Sequence, residues 1–298
     1  MKKRAPRFKR MPKAVGGLRI QERDIEIIRL VYEYRFLDSE QIHALVGGSR
    51  QVILRRLKKL YHHGYLDRPI SQITFSNPFF GPQKMVYALG DKGADLLAEV
   101  YGIDRGGIIW SEKNREVRER YIQHTLMISN FRACLSLALR DLPDVRLLFW
   151  VRENPQELKD YVSFTDESGR HRRLPIVPDG FFGIEDPQGR MFFFLEADRS
   201  TMTNARFLRK LRAYWLWWKQ GGHRRRFGIE SFRVLTITRT ERRKENLRRV
   251  AKKADDRQIG SLMFWFTSEE RYDIRDPRTI LGEIWQTPRD ERWHSLLE

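Results

Sequence analysis

Leu174-Pro175-Ile176-Val177-Pro178-Asp179-Gly180-Phe181-Phe182, followed after a turn by Met191-Phe192-Phe193-Phe194-Leu195-Glu196-Ala197-Asp198-Arg199, decides how this chain is read. Both segments are apolar enough to be buried strands, yet both carry carboxylates. Residues two apart on a strand face the same side, so Glu196 and Asp198 project together. Acids placed there need partners, and Asp179 with Glu196 are candidate ligands for a metal ion beside DNA. A structural use competes: Asp179 capping a turn with Gly180, Asp198 and Arg199 pairing around a helix start.

Outward from this pair, the residue patterns predict a helix from about Trp110 to Arg140 and strands at Val145–Val151, Leu174–Ile184 and Met191–Ala197. A helix at Thr203–Lys219 and a strand at Phe232–Thr238 follow. On the Thr203 helix, Phe207, Leu211, Trp215 and Trp218 form the expected packing stripe, leaving Arg206, Arg209, Lys210 and Lys219 outside. Tyr214 or Trp217 would be the alternative, as base-stacking platforms. His223-Arg224-Arg225-Arg226 reads as a basic loop and Glu241–Lys253 as a basic helix. Segments at Leu262–Phe266 and Ile280–Trp285 are expected to complete the domain.

The 298-residue chain is 41% hydrophobic and 12% aromatic, sufficient for two packed cores. Its net charge of +18 is concentrated. Residues 1–70 hold 17 Lys or Arg against 7 Asp or Glu, and residues 206–253 hold 17 against 3. Two cationic segments on an otherwise acidic chain fit surfaces that follow a phosphate backbone; either segment alone also fits a solvated charged face. Cys134 is the only cysteine, which excludes an intramolecular disulfide and a cysteine-rich zinc site. No apolar run reaches membrane-spanning length, and Met1-Lys2-Lys3-Arg4 does not lead into a secretion signal, so a cytoplasmic protein is expected. Glycine-rich nucleotide loops, a dinucleotide fingerprint and the His-hydrophobe-His triad of a relaxase do not occur.

In the amino-terminal part, residues 1–18 read as a disordered basic arm. A helix over Glu22–Phe36 precedes a short one, capped by Asp38 or Ser39 and running to Val46. After Gly47-Gly48, Ser49 caps a third helix with Ile53, Leu54, Leu57, Leu60 and Tyr61 on one face and Gln51, Arg55, Lys58, Lys59 and His62 on the other. Extended segments at Ile70–Phe75 and Met85–Leu89 make a hairpin, and Asp91 opens a closing helix.

This order resembles a winged helix-turn-helix domain, over residues 19–105. The resemblance implies a third helix in the major groove, with Gln51 and Arg55 at base edges and Lys58 and Lys59 nearer the phosphates. Ser49, Arg50 and His62 share that face. A protein-docking role for such a module stays open. Residues 106–298, including a linker helix over 111–140, resemble the PD-(D/E)xK nuclease superfamily, an αβββαβ restriction-endonuclease-like domain. The chain is thus a two-domain mixed α+β and α/β protein. The resemblance makes Asp179 and Glu196 the ligands of a divalent metal, magnesium or manganese. Where its motif lysine is expected stands Asp198, and Lys210 on the next helix is the candidate replacement. Asp179, Glu196, Asp198 and Lys210 are therefore the candidate catalytic residues, with cleavage itself left open.

The chain as a whole, from about residue 20 to 290, resembles the replication-relaxation family of bacterial plasmid and mobile-element proteins. The resemblance rests on His63-Gly64-Tyr65-Leu66, Tyr87-Ala88-Leu89-Gly90 with Lys92-Gly93, His124-Thr125-Leu126, Val177-Pro178-Asp179-Gly180 and Phe194-Leu195-Glu196-Ala197-Asp198-Arg199-Ser200-Thr201. It implies binding of double-stranded DNA in replication, copy control or DNA relaxation and mobilisation, with a degenerate nuclease-like domain and an association with the nucleoid or plasmid. Replication or mobilisation proteins and a second copy of the chain are the further expected partners. Arg206, Arg209, Arg224, Arg225 and Arg226 would then follow DNA beside Asp179 and Glu196. The alternatives are a metal-dependent DNA endonuclease and a transcriptional repressor.

Overall fold

Helix α1 (Glu22–Tyr34) begins at a reciprocal cap: the Gln21 side chain accepts from the third helical amide, and Asp24 accepts from Gln21 N at 2.9 Å. It buries Ile27, Ile28, Leu30, Val31 and Tyr34. Asp38 caps α2 (Ser39–Val46) by accepting from Glu40 N and Gln41 N, whereas Ser49 precedes α3 (Arg50–His63) without a side-chain bond. Helix α3 buries Ile53, Leu57, Leu60 and Tyr61, and Arg56 ties it to α1 by taking both oxygens of the fully buried Asp24. The structure, a computed structural model, describes residues 7–75, 84–108, 114, 116–152, 155–165 and 168–298.

Three short strands, β1 (Leu37–Asp38), β2 (Leu66–Asp67) and β3 (Val86–Leu89), form an antiparallel sheet with β3 at its centre. The expected hairpin is therefore displaced. Ile70–Phe75 is a 3-10 helix, because the Gln72 amide bonds both Val86 N and Val86 O and satisfies the backbone that a strand would have paired. The tip of that hairpin, residues 76–83, lies outside the described residues. Gly64 ends α3 at φ 91°, and a Cβ on Gly93 in α4 (Asp91–Tyr101) would stand 2.2 Å from Tyr65 O. Those two glycines let the helices and sheet close on one another.

From Arg7 on, the basic arm is not a free chain. Met11 N donates to His62 Nδ1 at 3.0 Å, Lys59 Nζ to Gly17 O at 2.8 Å and Arg68 Nη1 to Arg7 O at 2.8 Å. The arm's first six residues lie outside the described ones. Helix α5 (Glu119–Arg140) starts later than expected, and residues 110–113 and 115 of the predicted helix lie outside the described residues. Ile122, with Leu126 against it, packs with Phe36, Val86 and Ala88, and Ser129 Oγ donates to Phe36 O at 2.9 Å. Leu126 thus belongs to the amino-terminal core, not to the second domain as expected from its place on a linker. The chain divides into two compact units, Met1–Ala133 and Cys134–Glu298, inside α5.

The second unit is built on a seven-stranded mixed sheet. Its strands are β4 (Arg146–Arg152), β7 (Gly180–Asp186), β8 (Gly189–Asp198), β9 (Arg233–Thr238), β10 (Phe264–Ser268), β11 (Trp285–Gln286) and β12 (Trp293–His294). The order is β12-β11-β10-β9-β8-β7-β4, with β8, β9 and β10 parallel. Leu174–Ile184 is not one strand: after α6 (Pro155–Leu158), β5 (Asp160–Thr165) pairs with β6 (His171–Ile176) in a separate two-stranded sheet, β6 ends at Ile176, and β7 begins only at Gly180. Pro178, which has no amide hydrogen, lies at the break before β7.

Helix α7 (Asn204–Lys219) covers the sheet with Phe207, Leu211, Tyr214 and Trp217, all within a core shared with Phe181, Phe194, Phe232 and Phe264. Of the expected stripe, Phe207 and Leu211 are in this core and Trp215 packs against it partly buried, but Trp217 stands inside in place of Trp218. Trp217 turns inward because its indole N–H reaches Asp160 Oδ2 at 2.8 Å, which leaves Trp218 40% exposed and Trp215 at the rim. Tyr214 and Trp217, the base-stacking alternatives, are core residues. Arg224–Arg226 lie on a short helix, α8 (Gly222–Phe227), rather than a loop. Helix α9 (Glu241–Ala251) follows β9. Among the described residues, no helix is long and apolar enough to cross a membrane.

Candidate functional site

Strand parity assembles the site. Phe194 points into the α7 core, so Glu196 and Asp198 face α7 as well. In the β7–β8 register Gly180 stands opposite Leu195, and continuing it by one residue puts Asp179 opposite Glu196. Backbone and side chain hold Asp179 there: its N–H donates to Leu195 O at 2.9 Å and its Oδ2 accepts from Ala197 N at 2.7 Å. From α7, Lys210 and Tyr214, one turn apart, both reach Glu196; the ammonium pairs with Oε2 and the phenol donates to Oε1 at 2.6 Å. Glu196 is 3% exposed.

Burial pushes the Glu196 carboxyl up to about 7; the Lys210 charge opposes this and the nearby Asp179 charge adds to it. Burial works against the Lys210 ammonium, but Glu196 and Asp179 outweigh it and hold its pKa above the ordinary value. Lys210 is therefore a fixed positive charge between two acids, not the exposed side chain expected from the helix pattern.

Asp198 does not substitute for the lysine. Its two oxygens take a fork from Arg243 at 2.8 and 3.0 Å, and Oδ1 also accepts from Ser200 N at 2.8 Å. It anchors α9 to the end of β8. The same helix supplies a further correction: Lys244 is buried against Gln286 and Glu241, and Arg248 against Thr287 O, Asp290 O and Glu291. The carboxy-terminal segment draws these two cations inward and Asp198 holds Arg243, while Arg242, Arg249, Lys252 and Lys253 stay exposed, so the expected second phosphate track keeps only part of its charge at the surface.

The residues do not fit the expected magnesium or manganese in this arrangement. Both Glu196 oxygens are committed to Lys210 and Tyr214, and Asp179 Oδ2 to a backbone amide. Among the described residues no group of three His, Cys, Asp or Glu could hold a metal ion. The Lys210 ammonium supplies the positive charge that a hard cation would bring.

Beside Lys210 opens a cavity of about 370 Å³, lined by Arg173, Pro175, Val177, Arg206, Arg209 and Lys210 among others. The β5–β6 hairpin makes one wall, bonded to α7 through Gln220 Nε2 to Ser163 O at 2.9 Å. The exposed Arg224, Arg225 and Arg226 are occupied locally: Arg224 pairs with Glu230 at 2.7 Å, Arg225 bonds Gln220 O, and Arg226 bonds Glu157 O at 3.1 Å. The sequence patterns do not single out Arg173, because β5 and the first half of β6 lie outside every expected strand.

On α3, Ser49, Arg50, Gln51, Arg55 and Lys58 are exposed, the last three at i, i+4 and i+7 on one face. Two expected members of that face are not on it. His62 is 2% exposed, accepts from Met11 N, and is held below the usual histidine range first by burial and then by Arg68. Lys59 is half-buried and bonded to Gly17 O. Both are covered by the amino-terminal arm, a long-range contact that helix periodicity does not contain. Cys134, the single cysteine, is buried and its thiol is pushed up to about 12 by burial and by Asp273.

The replication-relaxation family model matches residues 28–230, more than half of the chain. No curated protein and no solved structure matches.

Proposed function

Because the chain belongs to the replication-relaxation family, we propose that it is a DNA-binding protein of a plasmid or other mobile element, acting in replication, copy control or DNA relaxation. In this reading residues 19–105 are a winged helix-turn-helix whose α3 enters the major groove. The second unit is a degenerate PD-(D/E)xK domain that grips DNA. The observation that carries the reading is the α3 face: Gln51, Arg55 and Lys58 stand exposed in line, behind the tight Gly47-Gly48 turn and ahead of a three-stranded antiparallel sheet. A polar, cationic face free of core duty is what base edges and phosphates require.

Arg55→Ala is expected to cost about 1–3 kcal/mol of discrimination between cognate and random duplex. Lys58→Ala should weaken both about equally and lower the salt slope by about 1. Affinities measured by anisotropy across a salt series check this. Salt-independent binding, or an Arg55→Ala protein that discriminates like wild type, would refute the assignment of α3.

A second reading, phosphodiester cleavage, is favoured by one contact, the Lys210 ammonium on Glu196, which brings a lysine to one of the motif acids in a chain whose own motif lysine position holds Asp198. Supercoiled plasmid incubated with the protein, with and without magnesium or manganese, separates the two. The degenerate reading predicts no nicking above the Glu196→Ala and Asp179→Ala controls. Nicking that both substitutions abolish would establish cleavage instead.

A further inference from the structure

We propose that the cavity between the β5–β6 hairpin and α7 binds a phosphate group of nucleic acid without a metal ion, through Arg173, Arg206 and Arg209 next to Lys210. This rests on the reading of the second unit as a DNA-gripping domain and specifies how it grips. The cavity measures about 370 Å³, within the range of sites for small polar groups, and none of its lining residues is acidic. Arg206 and Arg209 are exposed and successive on one face of α7, and Arg173 stands opposite on β6. The Arg173 guanidinium lies 3.7 Å from the Tyr161 ring centroid, a stacking that fixes its plane and leaves its N–H edges to hydrogen-bond.

The division of labour follows from charge. Lys210 is neutralised by Glu196, so it contributes little net attraction but closes the cavity floor. The three arginines carry uncompensated charge into the same space, and guanidinium forks match phosphate oxygens two at a time. An anionic ligand of this kind needs no bridging cation, and Glu196 is already satisfied. Arg173 sits on a hairpin outside the seven-stranded sheet, so the phosphate site is assembled from that hairpin and the helix it packs on.

The test uses the full chain with inorganic phosphate and two fluorescent single-stranded oligonucleotides of the same sequence, one bearing a 5′-phosphate. Binding is expected in chelator and should be unchanged by added magnesium. Arg206→Ala and Arg209→Ala should each weaken it about tenfold, Arg173→Ala similarly, and Arg206→Glu more. These side chains are exposed, and unchanged melting temperatures would establish that the variants fold. A preference for the 5′-phosphorylated strand with protection by inorganic phosphate would assign a terminal monoester. Equal binding of both strands, still lost in the arginine variants, would assign the backbone diester. Affinity that requires magnesium, or that survives all the arginine substitutions, overturns the proposal. Duplex binding sensitive to Arg55→Ala reports on α3 independently, so failure at the cavity leaves that reading standing.

Discussion

Arg56→Ala should destabilise the amino-terminal unit by about 3–5 kcal/mol, the usual cost of stranding one member of a buried ion pair. Against the roughly 5–15 kcal/mol that holds an ordinary domain, the unit would be close to unfolding. The reason lies in Asp24. It has no exposed surface, receives two bonds from the Arg56 guanidinium, and also caps α1 through Gln21 N. Arg56 further donates to Arg19 O at 2.9 Å, so one side chain ties together α3, α1 and the chain leading into it. Urea denaturation followed by circular dichroism gives the number. Pairing Arg56→Met with Asp24→Asn should recover much of the loss, because the stranded charge is then gone. A loss below about 1 kcal/mol would place the pair among solvent-screened surface bridges and contradict its geometry.

The second large effect concerns Glu196. Its carboxyl is raised from 4.5 to about 7, first by burial. A carboxyl that holds its proton more tightly folded than unfolded stabilises the fold fully below its unfolded pKa, and that contribution is lost as pH rises through the folded pKa. Between about pH 4.5 and 7 the wild-type protein should therefore lose up to about 3 kcal/mol through this group. Glu196→Gln has no proton to lose and should lack that step. In Lys210→Met the compensating cation is removed while Asp179 remains, so the step should move to higher pH. Denaturation midpoints of the three proteins at several pH values decide it. A wild-type profile parallel to that of Glu196→Gln would mean that the carboxyl titrates normally.

The Asp179–Glu196 facing pair was legible because it depends only on strand period and on the turn between two apolar runs. Its partner was less so. The nuclease resemblance names Lys210 as a candidate, but only the seating of α7 shows it pairing with Glu196 while Arg206 and Arg209 stay exposed. The same seating turns Trp217 inward and Trp218 outward, with the Trp217 indole on the Asp160 acceptor of β5, a strand the sequence pattern does not contain.

Read alone, the sequence determined which segments fold and where charge accumulates, because helix and strand periods, caps and glycine turns are local. Helices α1 to α3, the strands about Glu196 and two cationic segments all follow from neighbours a few residues apart. Tertiary structure alone decided which charges are spent internally. Asp198 on Arg243, Lys244 and Arg248 beneath the carboxy-terminal segment, and His62 beneath the amino-terminal arm are contacts between residues tens of positions apart. A buried charge must find its partner wherever the fold brings one, and no periodicity along the chain records where that will be.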